Sequence, residues 1–436
     1  MPEPIAYSHR LRRPASTLRE RMANASTTPY WLDHQDRPPQ RAAFRGDVET
    51  DLVIVGGGYT GLWTAIQAKE RRPGRRVVLL EGKRIGWAAS GRNGGFCEAS
   101  LTHGEENGAR HLGDELAVVE QLAAENFSEF AQTLDRYGID AEFEQSGMLT
   151  VATEPHQARE LGGSDATVLT GADLERYARS PLYRAGVFEA EGIALVHPAK
   201  LAWGLARTAE ELGVQIYEGS PASALERTAT GVALRTAGGV VRAGAVALAT
   251  NGFPSLLRRL RLFTVPIYDY VLMTEPLSDD QLASIGWVGR HGIADAGHEF
   301  HYYRKSRDNR ILFGGYDAVY HRGRRIRPEQ DQREETFLRL ADHFASTFPS
   351  LESTRFTHRW GGMIDMSTQL MAFHGQAAGG RIAYSAGYTG LGVCATRFGA
   401  SVMLDLISST ATRNGRDCGC RGVCPSRFRP SRSPTR

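Results

Sequence analysis

A strand, three glycines, a helix, a second strand and an acid follow in that order between residues 51 and 81, and few folds accommodate the series. The apolar run Leu52–Val55 reads as a buried parallel strand, and a helix starts near Leu62. Between them Gly56, Gly58 and Gly61 form G-x-G-x-x-G, with Tyr59 and Thr60 inside the motif. The first glycine allows a tight turn, the second a close backbone approach to a pyrophosphate, and the third close packing of helix on strand. Phosphate oxygens would then face a helix N-terminus. The next strand, Arg76–Leu80, runs into Glu81, 25 residues after Gly56, where a carboxylate can accept from a ribose. Gly82 and Lys83 continue the same edge. A glycine triplet alone fits a tight turn in any α/β protein, but the whole series predicts a dinucleotide site; a ligand-free Rossmann-like sheet is the alternative.

The chain then enters GWAASGRNGGF, residues 86–96. Small residues let backbone run against a flat, extended group, and Ala89, Ser90, Arg92, Asn93, Gly94 and Gly95 are candidates to line it. NAD does not need such a cradle. FAD does, because its ribityl chain and ring reach well beyond the pyrophosphate.

With 41% apolar and 23% charged residues in 436, the chain has the composition of a folded protein with a sizeable core. Its net charge of +3 is uneven: residues 414–436 hold six arginines and one aspartate, so the remainder is slightly acidic. This argues against a general nucleic-acid surface. No apolar run is long enough to span a membrane, and no secretory signal opens the chain, so the expectation is a cytoplasmic protein without membrane or nucleic-acid partners. Residues 1–21 read as unstructured basic sequence, and Met22 is an alternative start. Cys97, Cys394, Cys418, Cys420 and Cys424 do not form a disulfide framework, and CGCRGVC lacks regular metal-ligand spacing, so no metal is expected.

Beyond the glycine motif, further segments resemble the D-amino-acid oxidase (DAO) superfamily of FAD-dependent oxidoreductases, which includes glycine and sarcosine oxidases. They are TPYWLD at 28–33, ASGRNGG at 89–95, HPAKLAWGLA at 197–206, ALATNGF at 247–253, RWGGMID at 359–365 and AGYTGLGV at 386–393. The ASGRNGG segment is most similar to a gamma-glutamylputrescine oxidase-like branch. The resemblance implies a discontinuous Rossmann-like FAD-binding domain, with a second, mixed or antiparallel-sheet substrate domain of the glutathione-reductase-like type. It also implies that Ala222 or Ser223 lies near the adenine, and that Gly361 and Gly362 pass beside the flavin with Trp360 walling the cavity; core packing is the other reading of Trp360. The sarcosine oxidase branch attaches its flavin through a cysteine in that region. This chain has none between Cys97 and Cys394, so the expectation is non-covalent FAD. No lysine matches the oxygen-activating lysine of that branch.

The later segments also carry their own patterns. Val246–Thr250 is an apolar strand broken by Asn251 and Gly252, where a dinucleotide could pass or a simple turn could lie. Ile382–Ser385 precedes a bend at Gly387, Gly390, Leu391 and Gly392, and then a helix whose positive end would face the flavin carbonyl. The expected division is an N-terminal extension at 1–45; FAD-binding parts at 46–110, 196–261 and 356–410; a helical connection and substrate part at 111–195; a second substrate part at 262–355; and a flexible tail at 411–436.

The expected reaction is oxidative deamination of an amine or amino acid, by hydride transfer to flavin N5, with O2 reoxidising the flavin to give H2O2. A dehydrogenase with another acceptor is the alternative, and the oligomeric state is open. Candidate substrate-contacting groups are His301, Tyr303, Arg304 and Tyr316. Strand alternation pointing His301 and Tyr303 inward turns Arg304 outward, so at most one of His301 and Arg304 should face the cavity.

Overall fold

The computed structural model describes residues 6–162 and 166–413. Two large sheets organise them. The first has the order Phe373–Ala377, Ile382–Ala386, Gly239–Leu248, Val48–Val55, Val77–Leu80, Gln215–Tyr217. Its inner pairs are parallel, with Val55 opposite Leu248 on one side and Leu80 on the other. Parallel strands are covered on both faces, which is why these segments are apolar without alternation. Leu52 and Ile54 pack toward Trp63, Ile66 and Met403 of two covering helices, Tyr59–Arg71 and Gly392–Arg413. Val53, Val55, Val246 and Leu248 face the opposite side with Leu234 and Tyr384. The sheet draws on widely separated parts of the chain, so the domain it builds is discontinuous.

A third covering helix, Pro198–Glu211, starts with proline in its first turn, where no backbone donor is needed. His197 caps it by accepting from the Lys200 N–H at 3.2 Å. That role needs a neutral ring, and burial lowers the His197 pKa to about 3.

The second sheet runs Val319–Tyr320, Thr264–Thr274, Ile311–Gly315, His301–Lys305, Gly292–Asp295, Met148–Ala152, Ala185–Glu189, Val168–Leu169, with Phe356–Ser367 also paired to Thr264–Thr274. One face is covered by the helix Glu334–Thr347, whose Phe337, Ala341 and Phe344 meet Tyr270, Leu272, Tyr303 and Phe313. The other face turns toward the glycine-rich loop of the first domain.

One expectation changes here. The first 21 residues are not unstructured where described. Ala15–Arg21 is a helix with Leu18 fully buried, Arg13 pairs with Asp342 at 3.1 Å, and Tyr7 is buried against His301. Their basic composition hid this, because the arginines have carboxylate and carbonyl partners far along the chain. The long helix Leu116–Arg136 is followed by the strand Met148–Ala152 of the second sheet and packs Phe127, Phe130 and Leu134 into the core of the first domain, where Asn126 donates to the Cys394 carbonyl at 3.1 Å. The 414–436 part of the expected tail, with Cys418, Cys420 and Cys424, lies outside the described residues.

Candidate functional site

The glycine motif forms the floor. Gly56 has φ of 111°, a conformation reserved for glycine, and its N–H donates to the Leu80 carbonyl at 2.9 Å. A β-carbon on Gly61 would stand 1.9 Å from the Gly56 carbonyl oxygen, so helix and strand approach as the spacing demanded. The helix Tyr59–Arg71 has glycine at its N-cap, so no cap side chain covers it, and it has no acid in its first turn. Its positive pole is therefore offered to the gap in front of it.

Glu81 is buried, and burial raises its carboxyl pKa. It accepts from the Gly57 N–H at 2.7 Å, the Lys83 N–H at 2.7 Å and the Trp87 indole at 3.0 Å. Lys83 lies over the Trp87 ring, 4.0 Å from its centre. Ser220 donates its N–H to the Glu81 carbonyl at 2.8 Å and Pro221 approaches Gly82. Ala222 sits one step beyond, at the start of an antiparallel strand.

The loop Ala89–Gly95 is fastened at almost every residue. Ser90 accepts from the Tyr59 N–H at 3.0 Å, and Asn93 bridges its own loop by donating to the Ala89 carbonyl and accepting from the Gly95 N–H. Arg92 reaches Asp331 at 2.6 Å and the Gly361 carbonyl at 2.9 Å. Two buried tryptophans hold the backbone, Trp31 donating to the Asn93 carbonyl and Trp360 to the Arg92 carbonyl, each at 2.9 Å. Trp360 is fully buried, so it secures the loop from within the core. Gly362 faces Arg92, whereas Gly361 faces Tyr270.

At the carboxyl ends of the central strands a cavity of about 170 Å³ is lined by Thr250, Asn251, Gly252, Ser255, Arg261 and Ser385 among others. The Asn251 side-chain oxygen is buried without a partner. Beside it, Asp365 accepts from the Gly387 N–H and holds the turn carrying Gly387 and Gly390, both at positive φ, ahead of the Gly392 helix start; Leu391 closes that turn by donating to the Tyr388 carbonyl. Burial pushes the Asp365 pKa up to about 7.

The second sheet presents Tyr302 to this floor. A β-carbon on Gly94 would lie 2.7 Å from the Tyr302 ring. The Tyr302 hydroxyl donates to Asp269 on the strand Thr264–Thr274. Asp269 also accepts from the Tyr270 N–H at 2.7 Å, and burial raises its pKa to about 6. Arg304 lies on the same face, where its Nη1 donates to the Val196 carbonyl at 2.6 Å and to the carbonyls of Gly94 and Gly95, while its Nε is buried without a partner.

His301 and Tyr303 occupy the opposite face. His301 is completely buried, 2.5 Å from Asp295 and 2.9 Å from His343, with Tyr316 stacked on it at 5.0 Å. Tyr303 meets the Tyr183 hydroxyl at 2.7 Å. Neither reaches the glycine-rich loop, so the parity expected from sequence is reversed, with Tyr302 and Arg304 inward. Sequence reasoning missed Asp269, although a single acid inside TVPIYDYVLMT was a visible signal, since a carboxylate on a buried strand needs a reason to be there.

The unpartnered Asn251 oxygen, the glycine-capped helix start and the Glu81 carboxylate suit the polar parts of an extended dinucleotide. A family profile described as FAD dependent oxidoreductase (DAO) matches residues 51–406. The chain belongs to this family. It is an FAD-dependent oxidoreductase. It is similar to gamma-glutamylputrescine oxidoreductase of Escherichia coli strain K12, 29% identical over 403 residues, covering 89% of this chain and 90% of that one. Sarcosine oxidase subunit beta of Rhizobium meliloti is 26% identical over 357 residues, covering 79% and 78%. Among solved structures, glycine oxidase from Geobacillus kaustophilus superposes with a TM-score of 0.67 at 19% identity, covering 83% of this chain and 95% of that one, a likeness of fold. Among the described residues no group of three or more potential ligands gathers as a metal site, and no helix is long and apolar enough to cross a membrane.

Proposed function

We propose that this DAO-family enzyme carries out oxidative deamination of an amine or amino acid in the cytoplasm, with O2 as electron acceptor. FAD, when bound, would supply two-electron oxidation at the carbon that bears the substrate nitrogen, with O2 taking up the electron pair and two protons as H2O2. We assign the pyrophosphate to Gly56, Gly58, Tyr59, Thr60 and Gly61, and the adenosine to Glu81, Gly82, Lys83 and the edge before Ala222. The ribityl chain and ring fall to Ala89–Gly95, Thr250–Gly252, Gly361–Gly362 and Gly387–Gly392.

The observation that carries the reading is the Asp269–Tyr302 pair above Gly94. Asp269 forms no ion pair among the described residues; its donors are a phenol and backbone N–H groups. With a pKa of about 6 it is ionised at neutral pH, attracts an ammonium group, and can accept at a carboxylate oxygen the proton the nitrogen must lose before its lone pair assists hydride departure. Tyr302 holds that carboxylate and closes the space over Gly94.

The test is anaerobic mixing of the FAD-loaded protein with polyamines, their gamma-glutamyl derivatives, and D- and L-amino acids, following the flavin absorbance band before air is admitted. Bleaching followed by prompt recovery and peroxide is expected. Bleaching without prompt recovery would replace O2 by another acceptor, and a flavin that none of these compounds reduces would refute the substrate class.

A further inference from the structure

Two short segments far apart in sequence meet at the mouth of the cavity beside Asn251. They are LLRRLRLF at 256–263 and YHRGRRIR at 320–327, with seven arginines and no acidic residue between them. Arg261 and Arg324 both line the cavity, and Arg324 donates to Thr264 at 3.3 Å. The two guanidinium groups lie close enough for Arg261 to lower the Arg324 pKa, second only to burial as a cause.

Arginines elsewhere in this protein are commonly paired with carboxylates, as in Arg13–Asp342, Arg41–Glu210, Arg92–Asp331 and Arg339–Asp317. By contrast Arg258, Arg259, Arg261, Arg322, Arg324, Arg325 and Arg327 form no ion pair among the described residues, and all but Arg324 are exposed. Arg259 donates to the Gln376 carbonyl at 3.2 Å, and no carboxylate of the described residues neutralises any of the seven.

The same surface exposes large apolar side chains. Leu262 is 79% exposed and Tyr320 65%, and Phe263 is exposed next to Leu262. Phe263 directly precedes the strand Thr264–Thr274, and Tyr320 pairs with Ile267 on that strand, so the three stand along one edge. A nucleic acid would use the cations and leave Leu262 in water. An acidic bilayer uses both, drawing in the arginines by its surface potential and burying the apolar side chains at the headgroup boundary.

We propose that this face docks the enzyme onto the surface of an anionic phospholipid bilayer. Contact is peripheral, made by side chains around the cavity mouth, with no segment crossing the membrane. The inference does not depend on which amine is oxidised or on the role of Asp269.

The test is co-sedimentation of the full-length, FAD-loaded protein with vesicles of phosphatidylcholine containing phosphatidylglycerol, against vesicles of phosphatidylcholine alone. Binding is expected only to the acidic vesicles and should weaken as salt is added. The variant R258S/R322S/R325S should lose on the order of 100-fold in vesicle affinity, at about a kcal/mol for each basic side chain near the surface, while amine-driven bleaching in solution is unchanged. A second variant, L262S/F263S, keeps every charge and should also bind acidic vesicles more weakly. Equal binding to both vesicle types, no binding to either, or an L262S/F263S variant that sediments like the parent would overturn the proposal. So would light scattering showing that this face joins two copies of the chain, with the dimer lost in R258S/R322S/R325S.

Discussion

The indole N–H of Trp360 donates to the backbone carbonyl of Arg92 at 2.9 Å, tying a buried strand of the second sheet to the glycine-rich loop of the first domain. Replacing Trp360 with Phe keeps most of the buried surface and removes the donor. The expected cost is about 1–3 kcal/mol, because the Arg92 carbonyl loses its partner in a site poorly reached by water. Thermal unfolding should report that loss, together with faster flavin release on dilution.

Asp269 predicts a pH limb. Its pKa of about 6 is raised from the ordinary carboxylate range chiefly by burial. The protonated form is therefore favoured by folding, so stability from this group is greatest at low pH and is lost as pH rises through about 6. Activity should move the other way, the rate of flavin reduction by substrate increasing through that pH as the carboxylate forms. D269N is expected to reduce slowly at all pH values and to lose the limb; a D269N profile that superimposes on the parent would remove Asp269 from the chemistry.

Gly61→Ala tests the floor. A β-carbon there would collide with the Gly56 carbonyl oxygen, which is backbone and cannot swing aside. The glycine turn must shift, and with it the N–H groups to which the pyrophosphate is assigned. The purified variant should carry much less flavin after gel filtration, with affinity for added FAD reduced by at least ~10-fold.

His301→Asn separates the two faces of the second sheet. It disrupts the buried contacts of His301 with Asp295 and His343, and His343 in turn contacts the Ser8 carbonyl of the N-terminal segment at 2.9 Å. A loss of about 1–3 kcal/mol is expected from polar groups left unpaired. Flavin content and reduction rate should stay near the parent values, and proteolysis within the first 15 residues should become faster. A collapse of the reduction rate with intact flavin content would instead restore His301 to the active site.

The nucleotide-binding half was legible because its signals are local. Gly56, Gly58, Gly61 and Glu81 act through turns and strand ends a few residues long, where the backbone conformation itself selects the residue type. The second domain was less legible. HYYRK at 301–305 is covered on one face by the helix Glu334–Thr347 and on the other by the first domain, so no polar and apolar alternation marks which side faces the loop.

Sequence alone determined the parallel sheet, the glycine-rich loop and the family resemblance, because each depends on short-range geometry that glycine and apolar spacing record. Tertiary structure decided the rest. It put Tyr302 and Asp269 over Gly94, turned Arg304 to carbonyl oxygens, folded the N-terminal segment onto the second domain, and brought two arginine-rich segments to one edge. These are long-range pairings, fixed by which buried groups find partners across the chain, and no local pattern encodes them.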